Sequence, residues 1–238
     1  MTLSAAASRA ASLLSLVAGL VLAAGAAEAA ETQYPLTLEN CGRPVTFEKA
    51  PQRAVSLGQS STEILYLLGV GDRVVGTAVW IGPVLSGYED VNAKVERLAD
   101  NDPSFESVVA KKPDLVTAQF QWHVGPEGIV ATPEQFEELN IPVYTSPADC
   151  IGKDNTGGGD GVRNTVFSME QIYKEVSELA QIFNVQDQGE KVIADLKRAA
   201  KDVTSSGGDI WFATDLDREG EAIAWHLPQE LGIDSNKA

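Results

Sequence analysis

An acidic turn near the end of the sequence has the residue types and the spacing of a metal site. Asp215, Asp217 and Glu219 occupy alternate positions directly after the apolar stretch 210–213. A strand formed by these apolar residues would deliver the three carboxylates into one turn. Hard carboxylate oxygens suit Mg²⁺, so the turn is a candidate Mg²⁺ site, and an ordinary strand followed by a turn is the alternative.

The first 30 residues have the pattern of an export signal. Arg9 is the only charged residue before an uncharged run from Ala10 to Ala27, and Ala27-Glu28-Ala29 places small residues around a cleavage site. We therefore expect export to the periplasm or the cell exterior. A retained membrane anchor is the alternative, because the run has about the minimum length that spans a bilayer.

The sequence contains only two cysteines, Cys41 and Cys150. Export favours their pairing, because compartments outside the inner membrane are oxidising. A disulfide between them would close a long loop and stabilise the fold by roughly 4 to 5 kcal/mol. Two separate buried thiols are the alternative.

The composition and the charge exclude several classes of protein. Hydrophobic residues make up 44% of the 238 residues and charged residues 22%, which excludes a disordered polyelectrolyte and a multi-span membrane protein. The formal net charge is −16. This charge argues against a DNA or RNA partner, because affinity for nucleic acid comes largely from clustered Lys and Arg.

The elements that would position these residues follow a rhythm of strands and helices. Alternating residues at 34–47, around a turn at 40–43, predict a β-hairpin. The sequence next predicts strands at 53–57, 74–78, 114–118 and 141–144, alternating with helices at 61–68, 104–110 and 132–139. A loop at 146–166 precedes two longer helices, at 168–183 and from 186 to about 203. Short apolar strands between helices indicate the α/β fold class, with a parallel sheet covered on both faces.

Four stretches in this order carry a resemblance to a known family: 50–57, 62–76, 103–116 and 139–143. Through them, residues 31 to about 203 resemble the first lobe and connecting helix of periplasmic substrate-binding proteins of ABC importers, the iron-siderophore, haem and cobalamin group. The resemblance implies two α/β lobes that hold a ligand in the cleft between them. It divides the mature chain into a ligand-binding parallel-sheet lobe at 31–167, a lobe-closing and a long connecting helix at 168–205, and a truncated second lobe at 206–238.

The implied cleft directs attention to residues that follow strands, because ligands of open α/β sheets bind beyond the carboxyl ends of the strands. Aromatic faces beside hydrogen-bonding groups suit a bulky, partly apolar metal chelate. The candidate ligand-binding residues are therefore Gln59 and Ser60 after the first strand, Trp80 after the second, and Phe120, Gln121 and Trp122 after the third. His123 follows directly but has no second metal ligand at a recognisable spacing.

Glu106 is the candidate for contact with a membrane partner. It occupies the position that resembles the glutamate of lobe one that docks onto arginines of the permease in this family. A carboxylate suits this task, because a guanidinium group binds it bidentately and releases it again. A solvated acid on a helix is the alternative.

Residues 209–227 resemble something different, the Toprim segment of type IA DNA topoisomerases, with Asp215, Asp217 and Glu219 in its Asp-x-Asp-x-Glu motif. That family also has a glutamate on an earlier Toprim strand and a nucleophilic tyrosine in a separate domain, and neither pattern occurs here. We therefore predict that the chain is not an enzyme. Segment 206–238 is then the start of a shortened second lobe, or the chain is a chimera, a truncated reading or an artificial composite.

Together, these features predict a solute-binding protein of an ABC importer. It would capture a metal chelate similar to a ferric siderophore and deliver it to a membrane permease, without a cofactor. The alternatives are a Mg²⁺-dependent topoisomerase fragment and a non-functional chimera.

Overall fold

The computed structural model describes residues 30–157 and 161–205, with side chains up to residue 202. The export signal up to residue 29 lies outside the described residues. So does the segment 206–238, which contains Asp215, Asp217 and Glu219. The predictions made for these segments therefore stay predictions.

The described chain begins with the predicted β-hairpin. Strands β1 (Leu36–Asn40) and β2 (Arg43–Phe47) pair in antiparallel register around a turn at Cys41 and Gly42. Both turn residues have positive φ, 50° and 81°, which is the backbone conformation that a two-residue hairpin turn requires. The apolar side chains of the hairpin pack against one face of the main domain, so the alternation in the sequence is confirmed.

Five parallel strands form the central sheet in the order β5-β4-β3-β6-β7. They are β3 (Ala54–Leu57), β4 (Val74–Ala78), β5 (Arg97–Ala99), β6 (Leu115–Ala118) and β7 (Val143–Thr145). Strands β3 and β6 are fully buried, as expected for a parallel sheet with both faces covered. The predicted α/β class and the predicted strands are confirmed; β5 is an edge strand too short for the sequence pattern to reveal.

Seven α-helices occur among the described residues. They are α1 (Gln59–Leu67), α2 (Glu89–Asn92), α3 (Phe105–Val109), α4 (Gln121–Val124), α5 (Pro133–Glu137), α6 (Met169–Phe183) and α7 (Gln186–Ser205). One hydrophobic cluster joins the sheet to α1, α6, α7 and the hairpin, and another joins the opposite face to α3, α4 and α5. Successive strand residues alternate between the clusters, as Val143 and Tyr144 do, because strand side chains point to opposite faces in turn.

The segment predicted as a loop at 146–166 has more structure than expected. It contains a 3-10 turn at Pro147–Asp149 and a short antiparallel pair, β8 (Lys153–Asp154) with β9 (Val162–Arg163). A disulfide joins Cys41 of the hairpin turn to Cys150, with Cα atoms 5.4 Å apart, in agreement with the predicted pairing. This crosslink fixes the segment to the hairpin, a tertiary constraint that local sequence patterns do not encode.

Candidate functional site

The predicted ligand-binding residues all follow the carboxyl ends of strands in one parallel sheet. The relevant segments are 58–60 after β3, 79–90 after β4, 119–128 after β6 and 146–157 after β7. Because the strands are parallel, these segments emerge at the same edge of the sheet, which we call the carboxyl edge. Their side chains nevertheless have different surroundings.

Gln59 uses its amide to hold the loop that follows β4. Its Oε1 accepts hydrogen bonds from the backbone N–H groups of Ile81 (3.1 Å) and Gly82 (2.9 Å). Its Nε2 donates to Glu63 Oε1 (3.0 Å) and to the carbonyl oxygen of Pro83 (2.9 Å). Four hydrogen bonds saturate the amide, so Gln59 positions the 81–83 loop in this structure.

A glycine allows β3 to turn into α1 beside this loop. Gly58 has φ of 137°, and a Cβ atom there would lie 2.3 Å from Cβ of Gln119. Only glycine fits both the backbone angle and this close approach. The Gln119 Oε1 atom in turn accepts a hydrogen bond from the backbone N–H of Ser60, whose side chain is exposed at the edge.

Trp80 is half-buried and partly covered by its neighbours. Its Nε1 donates to the carbonyl oxygen of Gly82 (2.6 Å), and the Arg97 guanidinium lies 4.4 Å from the centre of its ring. The next residue, Ile81, is 86% exposed, which places a large apolar side chain in solvent at the carboxyl edge. The loop after β4 therefore presents an apolar surface that is held in place by Gln59.

His123 is a buried residue of α4. Its Nε2 is 3.0 Å from Asp102 Oδ1, and its ring contacts the partly buried ring of Phe120 at a centroid distance of 6.0 Å. The Nδ1 atom is buried without a hydrogen-bond partner among the described residues. Over residues 30–157 and 161–205, no three His, Cys, Asp or Glu side chains are grouped closely enough to hold a metal ion.

Gln121 and Trp122 line an open cavity of about 760 Å³, which we call the Trp122 cavity. Its other walls come from the hairpin turn at 39–42 and from parts of the segment 147–156. The volume lies within the range of roughly 300–1,000 Å³ typical of small-molecule sites. The Trp122 side chain is 42% exposed, so a large aromatic face remains accessible to a bound molecule. The cavity does not include Gln59, Ser60, Trp80 or Phe120.

A buried ion pair fixes the wall of this cavity. The Lys153 ammonium lies 2.8 Å from Asp149 Oδ1, and both side chains are less than one-tenth exposed. Asp149 Oδ2 also accepts the backbone N–H of Gln121 (2.6 Å), which holds the start of α4. Asn155 Nδ2 donates to Gln121 Oε1 and to the Asp149 carbonyl oxygen. No role was predicted for these residues from the sequence; the local signal was an acid, Asp149, within the short apolar stretch 147–151.

A second buried carboxylate ties α6 to the carboxyl edge. Ser61 Oγ donates to Glu175 Oε1 (2.8 Å), and Ser146 Oγ donates to Glu175 Oε2. Glu175 is 1% exposed, and its burial raises the pKa of this carboxyl group above its ordinary value; the nearby Glu178 acts in the same direction. The buried acid Glu175 therefore joins α6 to Ser61 near the start of α1 and to Ser146 directly after β7.

Glu106 lies in the first turn of α3. Ser104 caps the start of this helix, because its side chain accepts a hydrogen bond from the backbone N–H of Ser107. Because α3 follows β5, its beginning lies on the carboxyl-edge side of the domain. Glu106 is exposed and forms no side-chain hydrogen bond or ion pair in the described part of the chain. Its carboxylate is therefore accessible to another protein.

Comparison with known proteins identifies the family. A sequence model of the periplasmic binding protein family matches residues 55–208, which include the central sheet except its first residue, Ala54, and both long helices. The chain belongs to the periplasmic binding protein family. The predicted resemblance to periplasmic binding proteins is thus confirmed.

Individual relatives agree with this assignment. The chain is 26% identical over 179 residues to an ABC transporter substrate-binding lipoprotein, YvrC, of Bacillus subtilis, covering 74% of this chain and 49% of that protein. It superposes with a TM-score of 0.56 on the structure of an ABC-type Fe³⁺-hydroxamate transport system from Saccharomonospora viridis, at 23% identity, covering 73% of this chain and 57% of the other. The chain thus spans about half the length of the binding proteins it matches.

A shorter match supports the second resemblance. DNA topoisomerase 1 of Vibrio cholerae is 54% identical over 48 residues, which is 20% of this chain and 5% of the topoisomerase. The chain therefore shares a short segment with that enzyme family and most of its length with binding proteins.

In residues 30–157 and 161–205, no helix combines the length and the apolar character needed to cross a membrane.

Proposed function

We propose that this protein is the substrate-binding component of an ABC importer, which captures a metal chelate similar to a ferric siderophore and delivers it to a membrane permease. Membership of the periplasmic binding protein family supports the binding function. The proposal includes export to the periplasm or the cell exterior, in agreement with the signal pattern at the start of the sequence and with the disulfide.

The observation that carries the proposal is the Trp122 cavity at the carboxyl edge. Its volume of about 760 Å³ accommodates a chelate, and Gln121 and Trp122 offer an amide and an accessible aromatic face. A bulky chelate has both apolar and hydrogen-bonding surface, which these groups match. In this proposal Gln121 and Trp122 contact the chelate, Ser60, Trp80 and Phe120 form the rim beside it, and Gln59 keeps the loop after β4 in place.

Binding of defined chelates tests the proposal. The full chain is titrated with a ferric trihydroxamate, haem and cyanocobalamin, and tryptophan fluorescence and thermal unfolding are recorded. We expect at least one chelate to bind and to raise the unfolding temperature, because a ligand that binds only the folded state stabilises it. Trp122→Ala should weaken that binding roughly tenfold or more, because a large contact area is lost.

The matched control is Leu139→Ala, which truncates an exposed apolar side chain just after the end of α5, outside the Trp122 cavity. Its affinity should equal that of the wild type. Failure of all three chelates to bind would reject the proposed function, and equal losses in the two variants would reject the assigned site.

Permease docking is proposed for Glu106. We expect Glu106→Ala to reduce uptake of the bound chelate by cells that contain the cognate permease, with unchanged chelate affinity of the purified protein. The exposed carboxylate without an internal partner supports this role, because its removal leaves the fold intact. Glu138→Ala, at an exposed acid of the α5 cap, is the control. Normal uptake by Glu106→Ala would contradict docking through this residue.

The 48-residue topoisomerase match raises one alternative, a Mg²⁺-dependent DNA activity at Asp215, Asp217 and Glu219. The shortness of the match and the net charge of −16 favour the binding protein. Relaxation of supercoiled DNA in the presence of Mg²⁺, lost in Asp215→Ala, would instead support the topoisomerase. A chain that folds but responds to no chelate and no DNA would support the non-functional chimera.

A further inference from the structure

The uncompensated charges that line the Trp122 cavity are negative. Three exposed carboxylates line it, those of Glu39, Glu127 and Asp154. Glu39 and Glu127 form no ion pair or side-chain hydrogen bond with any described residue. Asp154 accepts hydrogen bonds from the backbone N–H (2.9 Å) and the hydroxyl (2.6 Å) of Thr156. These bonds lower the pKa of the Asp154 carboxyl group, so it is negatively charged at neutral pH.

The cations of the same cavity are already neutralised. Lys153 is buried against Asp149 at 2.8 Å, and the ammonium of Lys174 contacts the carboxylate of Glu178. Each lysine therefore already has a carboxylate partner, and the Lys153 pair is buried, so that loss of its partner would be costly. Within the described part of the chain, the lining presents three uncompensated negative charges and no uncompensated positive charge.

The aromatic wall of the cavity, like the carboxylates, favours a positively charged ligand. The Trp122 side chain faces the cavity with 42% of its surface exposed. The face of an indole ring attracts cations through its quadrupole. Carboxylates around a concave, partly apolar surface also raise the local concentration of cations and lower that of anions.

We infer that the Trp122 cavity selects its ligand by charge and takes a metal chelate that carries a positively charged group, in preference to a neutral or an anionic chelate. The inference rests on the proposed function and specifies the substrate class at the same site. A cationic amine or ammonium group on the ligand would lie between the indole of Trp122 and the carboxylates of Glu127 and Asp154. An anionic chelate would meet only repulsive charges at this wall.

One chelate scaffold prepared with three charges tests the inference. A ferric trihydroxamate with a pendant amine is used as the free ammonium, as the uncharged acetylated amide and as the anionic succinylated amide. The iron coordination is the same in all three, so only the charge of the pendant group changes. Affinity for the full, disulfide-bonded chain is measured by tryptophan fluorescence at low and at high ionic strength.

We expect the ammonium form to bind roughly threefold to tenfold more tightly than the acetylated form, and the succinylated form to bind more weakly than both. Added salt should reduce these differences, because it screens exposed charges. A combined variant replaces all three carboxylates: Glu39→Gln, Glu127→Gln and Asp154→Asn. It should bring the affinities of the three chelate forms within about twofold of one another, because the net charge of the cavity lining is then near zero. Asn keeps the oxygen that accepts the Thr156 hydrogen bonds.

The control variant Glu138→Gln removes one exposed carboxylate outside the cavity and should leave the order of affinities unchanged. Equal affinities of the three forms, or tightest binding of the succinylated form, would overturn the charge selection while leaving the proposed function intact. Absence of binding by all three forms, by haem and by cyanocobalamin would instead reject the proposed function and the inference with it.

Discussion

At the scale of single residues, Glu175 is the clearest test of the buried polar contacts. Its carboxyl pKa is raised by burial, so the folded protein holds the proton more tightly than the unfolded chain, whose ordinary value is 4.5. This group therefore stabilises the fold at low pH, and the contribution is lost as the pH rises through the folded pKa. Glu175→Gln removes the titration while an amide still bonds Ser61 and Ser146.

We expect Glu175→Gln to gain stability relative to the wild type as the pH rises from about 4.5 to neutrality, because the wild type must ionise a buried carboxyl group over this range and the amide does not titrate. Urea unfolding at a series of pH values measures this change. Glu190→Gln, at an exposed acid of α7, is the control and should show no such trend. A difference between Glu175→Gln and the wild type that is constant over the pH range would contradict the account of Glu175.

Asp149 gives a second prediction at this scale. Asp149→Ala removes the partner of the buried Lys153 ammonium and the acceptor of the Gln121 N–H. We expect a loss of about 2–4 kcal/mol in the free energy of unfolding, because a buried charge and a buried donor are left unsatisfied. Asp100→Ala breaks an exposed ion pair with Arg97 and should cost less than about 0.5 kcal/mol. Similar losses in both variants would show that Asp149 has no special structural role.

At the scale of elements, the disulfide connects the hairpin to the wall of the Trp122 cavity. The crosslink between Cys41 and Cys150 spans 109 residues of sequence. Replacement of both cysteines by serine should lower the free energy of unfolding by about 4 kcal/mol, because the unfolded chain regains the freedom of a long loop. Urea unfolding with and without reductant measures the effect.

The double-serine variant is its own control for the reductant, which should leave its unfolding midpoint unchanged. Titration of the unfolded, unreduced wild type should find no free thiol. Two reactive thiols, or a wild-type midpoint insensitive to reductant, would contradict the crosslink.

The elements that the sequence predicted are those whose stability is local. The predicted helix at 132–139 corresponds to α5, which the structure shows to be capped locally by Thr132 and Gln135 with Pro133 at its first position. Helix α6 was predicted because its apolar residues recur at helical spacing. Helix α4, with only four residues, was not predicted. Its first N–H depends on Asp149, which is distant in sequence, so no local pattern marks it.

At the scale of the whole molecule, the parallel sheet places all the predicted ligand-binding residues at one edge. The sequence predicted this arrangement because residues that follow parallel strands must share an edge. It did not predict that the amide of Gln59 is occupied by the loop after β4, or that Gln121 and Trp122 share a cavity with the hairpin turn. The Cys41–Cys150 pairing was predicted, but these contacts also depend on side-chain geometry, which periodicity does not reveal.

The central claim is that the carboxyl edge binds the chelate, and hydrogen exchange tests it most directly. Exchange is measured for the full chain with and without the ammonium-bearing ferric trihydroxamate. We expect slower exchange at 79–90, 119–128 and 146–157, and no change at 50–53 and 111–114, which lie at the opposite edge where Asp114 holds the backbone of Gln52 and Arg53. Protection at the opposite edge, with none at the carboxyl edge, would contradict the account.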